Sequence, residues 1–125
     1  MKLATVGLMF GLSLTPLLAH HSFDAEYDST KIATMSGVVT KVDWVNPHAY
    51  ISLSFKDDAG AVKSFTVELG PPYALVRGGW KKDTVKIGDK VTVEGAAMAK
   101  DGSSRGGSLP STHMVLASGE KLVMR

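Results

Sequence analysis

All four histidines of this sequence come after residue 19: an adjacent pair, His20–His21, then His48 and His113. Imidazole can ligate metals and move protons near neutral pH, so the chemistry open to the chain depends on where these rings lie. His20–His21 follow an apolar run directly. A cut after Ala19 would make His20 the terminal residue, whose α-amino nitrogen and ring Nδ1 can chelate one ion; a further imidazole would complete a histidine brace. A cut one residue earlier would expose Ala19-His20-His21, where the amine, two backbone amides and the third-position ring can wrap Cu(II) or Ni(II). Either arrangement offers nitrogen donors in a tetragonal plane, which favours copper over zinc. Binding would weaken as pH falls toward 5, because free imidazole has a pKa of about 6.5 and must be deprotonated to ligate. A solvated chain end accounts for the pair without any metal.

His48 lies in "WVNPHAY". Asn46-Pro47 is a turn signal that stiffens the chain ahead of a strand, so His48 would be well oriented. It is the expected third ligand beside His20 and His21, with Asn46 and Tyr50 standing behind the ligands. Its bland alternative is a strand-start histidine satisfied by a backbone carbonyl. His113 and Met114 are neighbours on a strand and face opposite sides, so they do not serve one ion as a pair. Met98 and Met114 read as core filler. Asp24, Glu26 and Asp28 form a spaced acidic run that a solvated arm explains. Glu68 is expected to form a surface pair with a lysine or Arg77.

The remaining side chains specify no catalysis. There is no nucleophile elbow or convincing triad, and "KDGSSRGG" lacks the Lys-Ser/Thr of a phosphate loop. The expectation is a protein that is not an enzyme. Cysteine is absent, which excludes disulfides, thiolate metal sites and covalent c-type haem. A second arrangement uses Tyr50, Arg77 and Trp80 to take a small envelope ligand or glycan.

The elements that must position these groups can be read along the chain. Lys2 followed by the apolar Leu3–Leu18 and the small Ala19 has the order of a secretory signal peptide, giving segments 1–19 (signal peptide), 20–31 (an irregular N-terminal arm anchored by Phe23 and Tyr27) and 32–125 (one domain). Removing Lys2 leaves 13 basic and 12 acidic side chains, a formal net charge of +1. That balance argues against nucleic-acid binding, which needs a clustered basic surface. No second apolar run long enough for a span follows, so stable membrane insertion after cleavage is not expected.

From Ile32 onward, short strands alternate with turn residues. "SGVVTKVDW" predicts Val38, Val42 and Trp44 on one face with Thr40. "HAYISLSF" predicts Ala49, Ile51, Leu53 and Phe55 inward, with His48 and Tyr50 outward. Phe65, Val67 and Leu69 point inward on the return strand. Gly-Pro-Pro and Gly78-Gly79 bracket a helix of about two turns. Lys100–Gly107 reads as a polar loop, and two short strands around Ser118-Gly119 close the chain. The fold class is therefore all-β: a five- to six-stranded OB-like barrel with one short helix between strands 3 and 4, or a small open β-sandwich.

Taken together, "LAHHSFDAEYD", "SGVVTKVDWVNPHAY", "ELGPPYALVRGGW", "KIGDKVTVEG" and "AKDGSSRGG" resemble a family of exported bacterial proteins known as a domain of unknown function. The resemblance covers nearly all of the chain after residue 19. It implies a periplasmic location, a small β-barrel-like fold and no defined activity. Its signature positions would be His20, His21, Ser22, Phe23, Asn46, Pro47, His48, Gly79 and Trp80; members often carry Asn and a small or His residue where this chain has Ser104-Arg105. The leading expectation is a periplasmic, non-enzymatic copper-binding protein. Its rivals are a binding module for a small envelope ligand and an accessory subunit of an inner-membrane protein complex. Intact-mass analysis of the exported chain should give a species that begins at His20; a start several residues later would remove the terminal chelate.

Overall fold

The computed structural model describes residues 22–125; the leader and His20–His21 lie outside the described residues. The described residues open with a helical segment (α1, residues 22–26), and strands follow: β1 (Tyr27–Asp43), β2 (Tyr50–Lys56) and β3 (Val62–Glu68). A second helix, α2 (Pro72–Arg77), precedes β4 (Lys90–Ala99), β5 (Arg105–Gly107), β6 (His113–Leu116) and β7 (Lys121–Val123). The protein is all-β in class, and its one inter-strand helix falls between the third and fourth strands as the sequence implies.

The seven strands form one sheet in the order β1-β2-β3-β5-β4-β6-β7, and a β1–β4 pairing closes the first five into a ring. It is one sheet rather than the two of a sandwich. β3 and β5 run parallel and the other pairs antiparallel. Closure is possible because β1 is 17 residues long and serves two neighbours. Tyr27 to Val38 pair with β4, and Val38 to Asp43 pair with β2. The pairings of β1 slip at Asp28/Ile32, Ala33/Met35 and Val39/Lys41. Such irregularities bend and twist a strand enough to wrap it around a core.

One slip overturns the expected facing of β1. Val39 is 1% exposed, whereas Val38 is 37% exposed and Thr40 is also exposed. The irregularity between Val39 and Lys41 breaks the period of two, so the strand on its two sides obeys different parities. The hairpin β2–β3 has no such slip, and its expected alternation holds: Ile51, Leu53, Phe65 and Val67 are all buried. They meet Val91, Val93 and Met114 in one core, joined by Leu75 of α2 and by Trp80. Trp80 is 2% exposed and donates its indole N–H to the Val123 carbonyl at 2.8 Å. Among the described residues, no buried side-chain nitrogen or oxygen lacks a partner. Thr112, fully buried, donates to the Gly95 carbonyl and accepts from the Leu109 amide.

Two further segments differ from their sequence reading. Residues 22–31 are regular rather than irregular: α1 leads directly into β1, and Tyr27 and Asp28 already pair with Ala99 and Met98. The Gly-rich stretch Lys100–Gly107 is not wholly loop, because Arg105–Gly107 form β5, which brings the strand count to seven. Glycine is normally poor in a strand, but it marks places where another group needs the space. A Cβ on Gly106 would lie 2.7 Å from the Phe65 ring, and one on Gly107 would lie 2.6 Å from Phe23 and 2.7 Å from Tyr27. The bare backbone of β5 is thus clasped by rings on both faces. Gly106→Ala should therefore destabilise the fold by about 1–3 kcal/mol, the usual cost of overpacking a filled core, as measured by urea denaturation.

Candidate functional site

The outer face of the β2–β3 hairpin gathers the polar groups. Ala49 donates to the Gly70 carbonyl and accepts from the Leu69 amide, so it extends the ladder by one step beyond Tyr50↔Glu68. His48 then stands diagonally across from Glu68, on the face away from Ile51 and Val67. Its Nδ1 lies 2.8 Å from Glu68 Oε1. The other carboxylate oxygen, Oε2, accepts a 2.6 Å hydrogen bond from the Tyr27 hydroxyl. One carboxylate therefore joins a ring on β1 to a ring on the Asn46-Pro47 corner, whose peptide bond is cis.

Gly107 makes this reach possible. It pairs with Glu68 in the β3–β5 ladder, and because it has no side chain the Tyr27 ring can lie across it toward the carboxylate. Tyr27 is 2% exposed and packs on Phe23 with ring centroids 4.9 Å apart. Arg125 stacks over the Phe23 ring at 5.0 Å and donates to the Ser108 carbonyl. Burial first, then the hydrogen bond to Glu68 and its charge, push the Tyr27 hydroxyl pKa far above the usual tyrosine value. Tyr50 is raised as well, again chiefly by burial and then by the Glu68 charge.

Two clefts share the Tyr27–Glu68 wall. The smaller, about 130 Å³, is lined by Ser22, Phe23, Glu26, Tyr27, His48, Glu68 and Ser108 among others. Because Nδ1 faces Glu68, that nitrogen carries the ring proton in neutral His48, and Nε2 keeps the free lone pair. The larger, about 270 Å³, is lined by Lys41, Asp43, Tyr50, Ser52, Thr66 and Arg105 as well as the shared pair.

The structure places His48 in the first cleft and Tyr50 in the second, on opposite sides of Glu68. Asn46 is exposed at the corner. His20 and His21 lie outside the described residues, but Ser22, the next residue, lines the His48 cleft. Tyr50, Arg77 and Trp80 are not brought together: Trp80 belongs to the core, and Arg77 is exposed on α2 over the Tyr73 ring. Among the described residues Glu68 meets neither a lysine nor Arg77 but His48 and Tyr27. The sequence reading missed both Glu68 and Tyr27 as site residues. Parity offers a signal for Glu68, which shares the outward register of His48 and Tyr50 once the hairpin is paired. His113 points its Nδ1 at the Ser111 carbonyl, while Met114 is fully buried. Of the acidic run, Asp28 accepts bonds from the Thr30 amide and hydroxyl, which lower its pKa, and the Asp24 carbonyl accepts from Lys100 Nζ. Among the described residues no three His, Asp or Glu side chains are grouped as a metal cage, and no helix is long and apolar enough to cross a membrane.

A model of a family of unknown function (DUF6152) matches residues 11–108, a span that includes His48, Glu68 and both β5 glycines. The chain belongs to this family. No curated protein and no solved structure matched in the parallel comparisons.

The Tyr27 bond makes stability depend on alkaline pH. Folding holds the Tyr27 proton more tightly than the unfolded chain, whose tyrosines titrate near the ordinary value of 10.0. The resulting stabilisation is complete below that pH and is lost above it, by about 1.4 kcal/mol per pH unit. Tyr27→Phe should remove this component. Urea denaturation between about pH 9 and pH 11 should show a shallower decline for the variant, with lysine contributions common to both proteins.

Proposed function

We propose that this protein is an exported, periplasmic, non-enzymatic metal-binding protein that holds copper through His20, His21 and His48. The observation that carries the reading is the Tyr27–Glu68–His48 chain. Imidazoles that ligate metals usually donate their second N–H to a carboxylate or carbonyl, which sets the tautomer, fixes the ring and raises its basicity. His48 has that arrangement, with Nε2 as the remaining donor in a cleft that also contains Ser22. Ser22, which lines the same cleft, directly follows His20 and His21 in the sequence, and a signal-peptidase cut after Ala19 would free the amine of His20 as a further nitrogen donor. All these donors are nitrogen, the set that favours Cu(II). The reading requires export, so the leader and the metal site stand or fall together.

We read the architecture as OB-like. The ring order β1-β2-β3-β5-β4, its closure onto β1 and the helix between β3 and β4 support this. The 270 Å³ cleft at Tyr50 favours a second reading, a binding module for a small polar envelope ligand, because its rim carries both cations and carboxylates.

Titrating Cu(II) into processed protein, followed by visible absorption and electron paramagnetic resonance, tests the first reading. His48→Ala should remove one nitrogen from the spectrum and weaken binding. Glu68→Gln should weaken it by about 10–100-fold, as changes to groups behind a ligand do. Unchanged spectrum and affinity in His48→Ala would remove His48 from the site and with it this proposal.

A further inference from the structure

The end of the ring away from His48 is built differently. There β2 turns into β3, and Met35, Phe55 and Leu116 pack on the core while remaining only partly buried. They floor an open groove of about 760 Å³ whose wall includes Val62, 69% exposed. The core at this end is therefore left uncovered, whereas α2 and the turn after it bury Leu75, Trp80 and Val85 against the core. A volume of this size falls in the range of small-molecule sites, about 300–1,000 Å³, and such sites are mainly apolar with a few placed polar groups.

The charges on the rim are of one sign. Lys56, at the end of β2, and Lys90, at the start of β4, both line the groove, and no Asp or Glu does. Among the described residues neither lysine is in an ion pair. An ammonium group on a flexible stem is a point charge suited to an anionic head group, and the lining that the two lysines edge is mainly apolar, with hydroxyls at Ser36, Ser54 and Thr92.

From this combination we infer that the groove binds one single-chain amphiphile with an anionic head, of the long-chain carboxylate class. The chain would lie over Met35, Phe55 and Leu116, and the carboxylate would lie between Lys56 and Lys90. A free amphiphile fits better than a bilayer, because Met35, Phe55 and Leu116 are partly buried in the floor of the groove, whereas a membrane needs apolar side chains that stand out from the surface. The groove is independent of the copper reading: β2 separates Tyr50 from Lys56 by about 20 Å.

Calorimetric titration with dodecanoate, kept below its micellar concentration, tests the inference on the full processed chain. One dodecanoate should bind per chain. Lys56→Glu/Lys90→Glu should weaken it by about tenfold or more, given roughly a factor of five per lysine near an anionic group. Val62→Asp should weaken it too, and because all three side chains are exposed the variants should keep their melting temperature. His48→Ala should bind dodecanoate like the unaltered protein, which separates this result from the fate of the copper site. Dodecylamine should bind more weakly than dodecanoate. The inference is overturned if dodecanoate does not bind, if the lysine pair variant binds it equally well, or if dodecylamine matches it. It is equally overturned if only phosphatidylglycerol vesicles bind, or if Val62→Asp merely dissolves a dimer in protein that takes up no dodecanoate.

Discussion

Two adjacent glycines let the ring of strands close. β5 is only three residues long, and it must join β3 to β4 while aromatic rings press on it from both sides. Phe65 occupies the inner face at Gly106, and Phe23 with Tyr27 occupies the outer face at Gly107. A side chain at either position would need the volume that a ring already fills. Interiors are packed too densely to absorb such a change at no cost. The contact is therefore both a closure device and a limit on what the strand can be made of.

The polar chain on the outer face depends on the same contact. Tyr27 reaches Glu68 only because it crosses bare backbone, and Glu68 in turn holds the ring of His48. Glu68 is partly buried, its side chain 15% exposed, so an oxygen left unbonded there would incur part of the roughly 1–3 kcal/mol cost of an unsatisfied buried group. Here both oxygens have a partner from a different part of the chain: β1 and the corner before β2. The arrangement ties the start of β1, the end of β3 and the Asn46-Pro47 corner into one unit, and it engages Nδ1 of His48, a residue that lines the cleft that also contains Ser22.

The two ends of the ring have opposite characters. Where β2 begins and β3 ends, the surface is titratable and the core is covered by α2 and Trp80. Where β2 ends and β3 begins, the core itself reaches the surface, edged by Lys56 and Lys90. One strand pair thus carries two chemically different surfaces, separated by its own length. That separation follows from the hairpin, whose inward residues are apolar from Ala49 to Phe55 and from Phe65 to Leu69, while its outward residues change from His48 and Tyr50 to Lys56.

Local patterning determined a good part of this protein. Strict alternation from His48 to Phe55 and from Phe65 to Leu69 specified which side of the hairpin is core, and Gly-Pro-Pro with Gly78-Gly79 marked α2, because both signals are carried by neighbouring residues. The all-β class followed from them, as did the outward placing of His48. Tertiary structure alone decided the rest. The parity of β1 could not be read, since the slip at Val39 depends on pairing with β2 and on the turn at Gly88–Asp89, which exchanges bonds with Val39. Arg105–Gly107 looked like loop because the reason for its glycines lies in rings 41, 80 and 84 positions away. The Tyr27–Glu68 bond spans 41 residues, and no local period encodes such a pairing. A sequence states each residue's preference for water or for core; which residues meet across the ring is settled only when the strands close.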